Sequence, residues 1–100
     1  MIYMMIKKIN LKEVEKSLKE IVEGLTEMKT FKEEDREINK SLNSNEIDFK
    51  AGKISNEIYK NIKRDLGKDK KIIETKIKGK RNEVLIILKN LSEIMESSKV

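Results

Sequence analysis

Between Lys60 and Arg81 the chain carries ten basic side chains against three acidic ones, Asp65, Asp69 and Glu74. The chemistry open to such a stretch is charge neutralisation. Ammonium and guanidinium groups along a helix displace counterions from phosphates, without regard to sequence and with a steep dependence on salt. Lys60, Lys63, Arg64, Lys68, Lys70, Lys71, Lys78 and Arg81 are the candidate phosphate contacts, with Lys76 and Lys80 beside them. Two of the ten are Arg, and Tyr59 is the one aromatic residue next to the stretch. Base stacking and base-edge reading therefore have few side chains to carry them, and a nucleic acid partner is expected to bind non-specifically. The imbalance is regional: residues 1–50 carry a net charge of −1 and residues 51–100 a net charge of +6. Glu27, Glu33, Glu34, Asp35, Glu37 and Glu46 in the first half offer cross-chain partners that absorb part of the basic charge.

Other chemistries lack their parts. The 100 residues contain no Cys and no His, which removes thiolate nucleophiles, disulfides, zinc-ribbon sites and the commonest general base. The four glycines, at 24, 52, 67 and 79, are isolated and form no phosphate-cradling loop. Asp and Glu are scattered along the chain rather than gathered at ligand spacing. The expectation is a protein without enzymatic activity, metal or cofactor.

The elements that position these side chains are helices. Charged residues make up 41% of the chain and hydrophobic residues 37%, and there is no Pro. That composition is too charged for a broad core, and its apolar residues are too regularly spaced for disorder. A narrow core between long helices satisfies both. From Leu11 the apolar residues run Leu11, Val14, Leu18, Ile21, Leu25 and Met28, alternating steps of three and four, a heptad seam. After Met28 the pattern is read as slipping by one step onto Phe31, Ile38, Leu42 and Phe49, with Asp35 and Asn45 between them. A second apolar stripe follows through Ile58, Ile62, Leu66, Ile73, Ile77, Val84, Ile87, Leu91 and Ile94.

Between the stripes lies Ala51-Gly52-Lys53-Ile54-Ser55. Gly adopts the left-handed conformation just past a helix end at no steric cost, and Ser three residues on is a preferred N-cap. A helix that ends and restarts within about four residues favours antiparallel neighbours. The predicted fold is all-α: one domain over residues 1–100, an antiparallel, coiled-coil-like hairpin with arms at about 8–51 and 56–97 and a turn at 52–55. Asn43-Ser44-Asn45, Gly67 and Gly79 are places where an arm is open to interruption, which gives three to four shorter helices as the alternative. Folding about the turn pairs residues whose numbers sum to about 106, which sets Leu11–Met28 against residues 78–95 and Asp35 beside Lys71.

The segment from Ile47 to Leu66 resembles the helical hairpins of the SHOCT (short C-terminal domain) type through Gly52, Ile54, Ser55, Tyr59, Lys63 and Leu66. It covers about a fifth of the chain, sits at its centre and runs on into a long helix. The resemblance implies association or regulation.

One hairpin does not use all the apolar surface. Val84 to Leu88 cover more than one face of a helix, and Ile2, Met4, Met5, Ile6 and Ile9 add more at the same end. Self-association, most simply as a dimeric four-helix bundle, would bury the excess. The expected interface is Met4, Met5, Ile6, Leu85, Ile86 and Leu88. The expected function is an interaction or assembly module that self-associates and binds a protein partner, with non-specific nucleic acid binding through Lys60–Arg81 as the alternative. The longest apolar stretches, Met1 to Ile6 and Val84 to Leu88, are six and five residues, far short of the ~20 of a membrane span. The expected location is the cytoplasm, and the richness in Lys, Ile, Asn and Glu suggests an AT-rich prokaryotic genome.

Overall fold

The structure, a computed structural model, describes residues 11–97. They form two helices, α1 (Leu11–Lys50) and α2 (Asn56–Ser97), packed antiparallel, with no strand among the described residues. The turn follows from its residues. Gly52 has φ +72°, in the left-handed region. The Lys53 amide donates to the Asp48 carbonyl at 2.9 Å and the Gly52 amide to the Phe49 carbonyl at 3.0 Å. These are the two bonds of a Schellman motif, and they satisfy carbonyls that a helix end leaves open. Ser55 then caps α2: its Oγ accepts from the Ile58 amide at 3.2 Å, and its carbonyl accepts the first helical bond, from Tyr59, at 2.9 Å. Phe49 and Tyr59 stack across the turn, with ring centroids 4.2 Å apart and planes inclined by 25°.

Neither arm is interrupted. α1 continues through Asn43-Ser44-Asn45, and α2 through Gly67 and Gly79, so the alternative of several shorter helices is not what forms. A single Gly costs a helix about 1 kcal/mol relative to Ala, which arms of 40 and 42 residues with a packed face absorb.

The seam differs from the expected one. The seam of α1 runs through Val14, Ser17, Ile21, Gly24, Met28, Phe31, Asp35, Ile38, Leu42, Asn45 and Phe49, buried or half-buried and in steps of three and four, with Glu46 and Asp48 half-buried beside it near the turn. There is no slip after Met28. Leu11, Leu18 and Leu25, assigned to the seam by their hydrophobicity, are 69%, 49% and 51% exposed and flank it instead. The seam takes small and polar residues where leucines were expected, because close approach of two backbones selects small side chains and the neighbouring apolar ones are left outside. Gly24 shows this directly: a Cβ there would sit 2.6 Å from Val84 Cγ2. On α2 the seam runs through Tyr59, Leu66, Lys70, Ile73, Ile77, Lys80, Val84, Ile87, Leu91 and Ile94. Ile58 and Ile62 are 49% and 37% exposed and lie off it. With Ile21 and Val84 at position a of the heptad, Leu18, Leu25 and Leu88 occupy e, and Glu27 and Glu83 occupy g.

The described residues gather into two compact units. The terminal unit joins α1 up to Glu27 with α2 from Gly79, and the turn unit runs from Met28 to Lys78. In the terminal unit the buried apolar side chains are Ile21 and Val84; in the turn unit they are Met28, Ile73 and Ile77. Pairs across the hairpin, from Asn45–Tyr59 to Lys63–Glu46, have numbers that sum to between 104 and 109, which agrees with folding about residue 53.

Candidate functional site

In the terminal unit a half-buried cation shows how the flanks are arranged. Lys80 sits on the seam, and its ammonium lies 2.7 Å from Glu27 and 2.9 Å from Glu83. Hydrogen bonds from Lys80 to Glu27 and then to Glu83 raise its pKa above the ordinary lysine value. The two carboxylates come from the g positions of opposite helices and meet one ammonium, so the two g flanks share a side. The two e flanks therefore share the other side, as antiparallel packing requires.

That e side is mainly apolar, its charged residues being Glu15 at b and Arg81 at e. α1 contributes Leu11, Leu18 and Leu25 at e and Val22 at b; α2 contributes Leu88 and Met95 at e and Leu85 at b. All seven are between 43% and 69% exposed. Their combined apolar surface is on the order of 600 Å², at the upper end of what a monomer shows in one patch. The g side is acidic. Glu20, Glu23 and Glu27 line a shallow hollow of about 400 Å³ there, together with Lys80, Glu83 and Ile86.

The structure thus divides the expected interface. Leu85 and Leu88 lie on the apolar flank. Ile86, 59% exposed, lies at c on the acidic side and does not join them. Met4, Met5 and Ile6 fall outside the described residues. Leu11, Leu18, Val22, Leu25 and Met95 belong to the flank and were not assigned to it from sequence. The signal that finds them is spacing: Leu11, Leu18 and Leu25 recur every seven residues, a stripe parallel to a seam rather than a seam of alternating threes and fours.

In the turn unit the basic stretch is split between the inside and the outside of the hairpin. Lys70, half-buried on the seam, donates to Asp35 at 2.9 Å and lies 3.4 Å from Glu74. Asp35, then Glu74, raise its pKa above the ordinary value. The partner expected for Asp35 was Lys71; it is Lys70, because Lys70 holds the seam position and Lys71 points out. Lys63 lies 3.3 Å from the Tyr59 hydroxyl and 3.6 Å from Glu46, and the Tyr59 contact leads the causes that raise its pKa. The Tyr59 hydroxyl donates to the Glu46 carboxylate, and this bond, ahead of the Lys63 charge, lowers the Glu46 pKa. Lys76 lies over the Phe31 ring, 5.8 Å from its centroid. Asn45, 5% exposed, donates from Nδ2 to the Tyr59 carbonyl at 3.1 Å, while its Oδ1 has no protein partner.

Of the candidate phosphate contacts, Lys63 and Lys70 are therefore engaged within the turn unit. Lys60, Arg64, Lys71 and Lys78 share the e and b positions of α2, with Lys68 at the adjoining f position, and all five are exposed. Arg81 is also exposed at e, within the terminal unit. α1 adds Lys29, Lys32 and Arg36 at its own b and e positions, residues that a reading confined to Lys60–Arg81 left out.

No group of three or more His, Cys, Asp or Glu side chains gathers to hold a metal among the described residues. No described helix is long and apolar enough to cross a membrane. No protein-family model, curated protein or solved structure matches the chain.

Proposed function

We propose that the protein is a helical assembly module that pairs with a second copy of itself through the apolar flank of its terminal unit. The observation that carries this is the contrast within that unit: two apolar side chains are buried, Ile21 and Val84, while Leu11, Leu18, Val22, Leu25, Leu85, Leu88 and Met95 stand exposed on one side. A two-helix unit with so thin a core is marginal alone. A second copy is the occupant that the surface itself describes. The flank is mainly apolar, and its charged residues, Glu15 at b and Arg81 at e, are opposite in sign, so two of them complement each other about a two-fold axis. Its estimated ~600 Å² is of the order of the ~800 Å² that each partner contributes to a standard interface. The pairing gives a four-helix layer in which the e and b leucines become core. The SHOCT-like pattern at residues 47–66, with its implication of association, fits this reading.

Sedimentation equilibrium over about 1 to 100 μM tests it, the range in which an interface of this size dissociates if it is weak. A mass that rises to two chains supports the proposal. A single-chain mass throughout refutes it. A heteromeric role for the same flank would then be tested by whether substituting Leu18 and Leu88 removes a partner.

A further inference from the structure

We infer that the turn unit carries a second, separate interaction surface, a two-helix basic face that binds the phosphate backbone of nucleic acid without reading bases. It lies on the e and b side of the hairpin and is built by Lys29, Lys32 and Arg36 of α1 with Lys71 and Lys78 of α2, all exposed. None of the five makes an ion pair among the described residues. Two carboxylates adjoin the cluster: Glu33, at f beside Lys32, and Glu74, which lies 3.4 Å from the half-buried Lys70 and is partly neutralised by it.

The pairing of the helices sets the geometry. Contacts such as Asp35–Lys70 and Phe31–Lys76 fix the register, which puts Lys29 level with Lys78 and Arg36 level with Lys71. The two rungs are seven residues apart, about 10 Å at 1.5 Å per residue, and the helix axes are ~8–10 Å apart. The four cations form two rungs on one side of the hairpin, a spread of positive charge that spans several phosphates of a strand rising ~3.4 Å per step.

The chemistry of the face selects among polyanions. From residue 28 to 50 and from 56 to 78, the e and b positions hold no large apolar residue, so nothing there inserts into a lipid surface as an amphipathic helix would. They hold no aromatic either, so bases have no stacking platform. The opposite, g and c side of the same unit carries Glu34, Glu37, Asp48, Asp65 and Asp69 against Lys76, beside the exposed Ile58, Ile62 and Ile72, and its net negative charge orients a polyanion onto the other side. The inference does not depend on self-association, since it uses none of the residues of the apolar flank.

The test is a titration of a fluorescent single strand and a duplex of the same sequence at about 50 and about 200 mM salt, with four contacts giving a roughly 100-fold loss between them. Two variants accompany the native 100-residue chain: K29Q/R36Q/K71Q/K78Q, and K12Q/K16Q/K19Q/K89Q as an equal change of net charge in the terminal unit. Far-UV circular dichroism confirms that both stay helical. Binding that falls at least 10-fold in the first variant and less than 3-fold in the second supports the face. No binding at low salt, or equal loss in both variants, overturns it. Tighter binding to vesicles of anionic phospholipid than to either nucleic acid overturns the choice of ligand.

Discussion

The terminal unit and the turn unit share one heptad frame and dress it in opposite ways. In the turn unit the seam is tied by polar and aromatic contacts, with Lys70 on Asp35, Asn45 on the Tyr59 carbonyl and Phe49 on Tyr59, and the e flank is charged. In the terminal unit the seam narrows to Ser17 and Gly24, and the e flank is mostly leucine, with Met95 and Arg81. The difference teaches that a heptad seam says where two helices meet, while the flanks say what the pair does next. A charged flank needs no apolar cover and is open to ions of opposite charge. An apolar one of this size calls for a partner.

The sharpest way to break the comparison is inside the terminal unit. Val84 is 5% exposed on the seam, and Val84→Asp puts an unpaired carboxylate there at a cost of about 3–5 kcal/mol. Cooperative thermal melting followed by circular dichroism is expected to disappear. Leu18→Glu, at a flank position 49% exposed, is expected to leave a single chain helical at high concentration while lowering the melting temperature by uncoupling the dimer. Equal damage from the two substitutions would erase the distinction between seam and flank.

Glycine substitutions sharpen the packing side of the comparison. Gly67 and Gly79 have open space where a Cβ would go, so Gly67→Ala and Gly79→Ala should each stabilise by about 1 kcal/mol. At Gly24 the added Cβ would meet Val84 Cγ2 at 2.6 Å. Gly24→Ala should therefore destabilise, by about 1 kcal/mol once the gain in helix propensity is offset. Denaturant unfolding of the three variants gives both sign and size.

The smallest effects are those of pH. The pKa of Glu46 is lowered, chiefly by the Tyr59 hydroxyl, so its contribution is present above the ordinary carboxylate value and is lost as pH falls through the depressed one. The pKa values of Lys70 and Lys80 are raised by Asp35 and Glu27. Their contributions are present below the ordinary lysine pKa and are lost as pH rises through the raised values. Asp35→Asn should blunt the alkaline loss from the turn unit, leaving that of the Lys80–Glu27 pair. An unchanged alkaline profile in that variant would assign the loss to other groups.

Much of the fold was legible in sequence because its signals are local. Gly52 followed by Ser55 marks the turn through backbone and capping chemistry, and the pairing about residue 53 follows from that turn alone. The same chemistry gives Gly52, Ser55, Tyr59 and Lys63 their places in the hairpin pattern. What was not legible was the face each side chain takes. Hydrophobicity alone drew Leu11, Leu18 and Leu25 into the seam, although Ser17 and Gly24 hold it, because it does not register how closely two backbones approach. The basic cluster was half seen for a related reason. Lys29, Lys32 and Arg36 join Lys71 and Lys78 only through the antiparallel pairing, and no run of consecutive residues contains both groups.

The central claim is that the apolar flank of the terminal unit, rather than its seam, joins two copies. Sedimentation equilibrium of L18E/L88E beside the native chain, with helix content measured on the same samples, tests it most directly. The account predicts a native mass of two chains and a variant mass of one, with helix content retained in both. A variant that keeps the mass of two chains, or a native protein that already sediments as one, would contradict it.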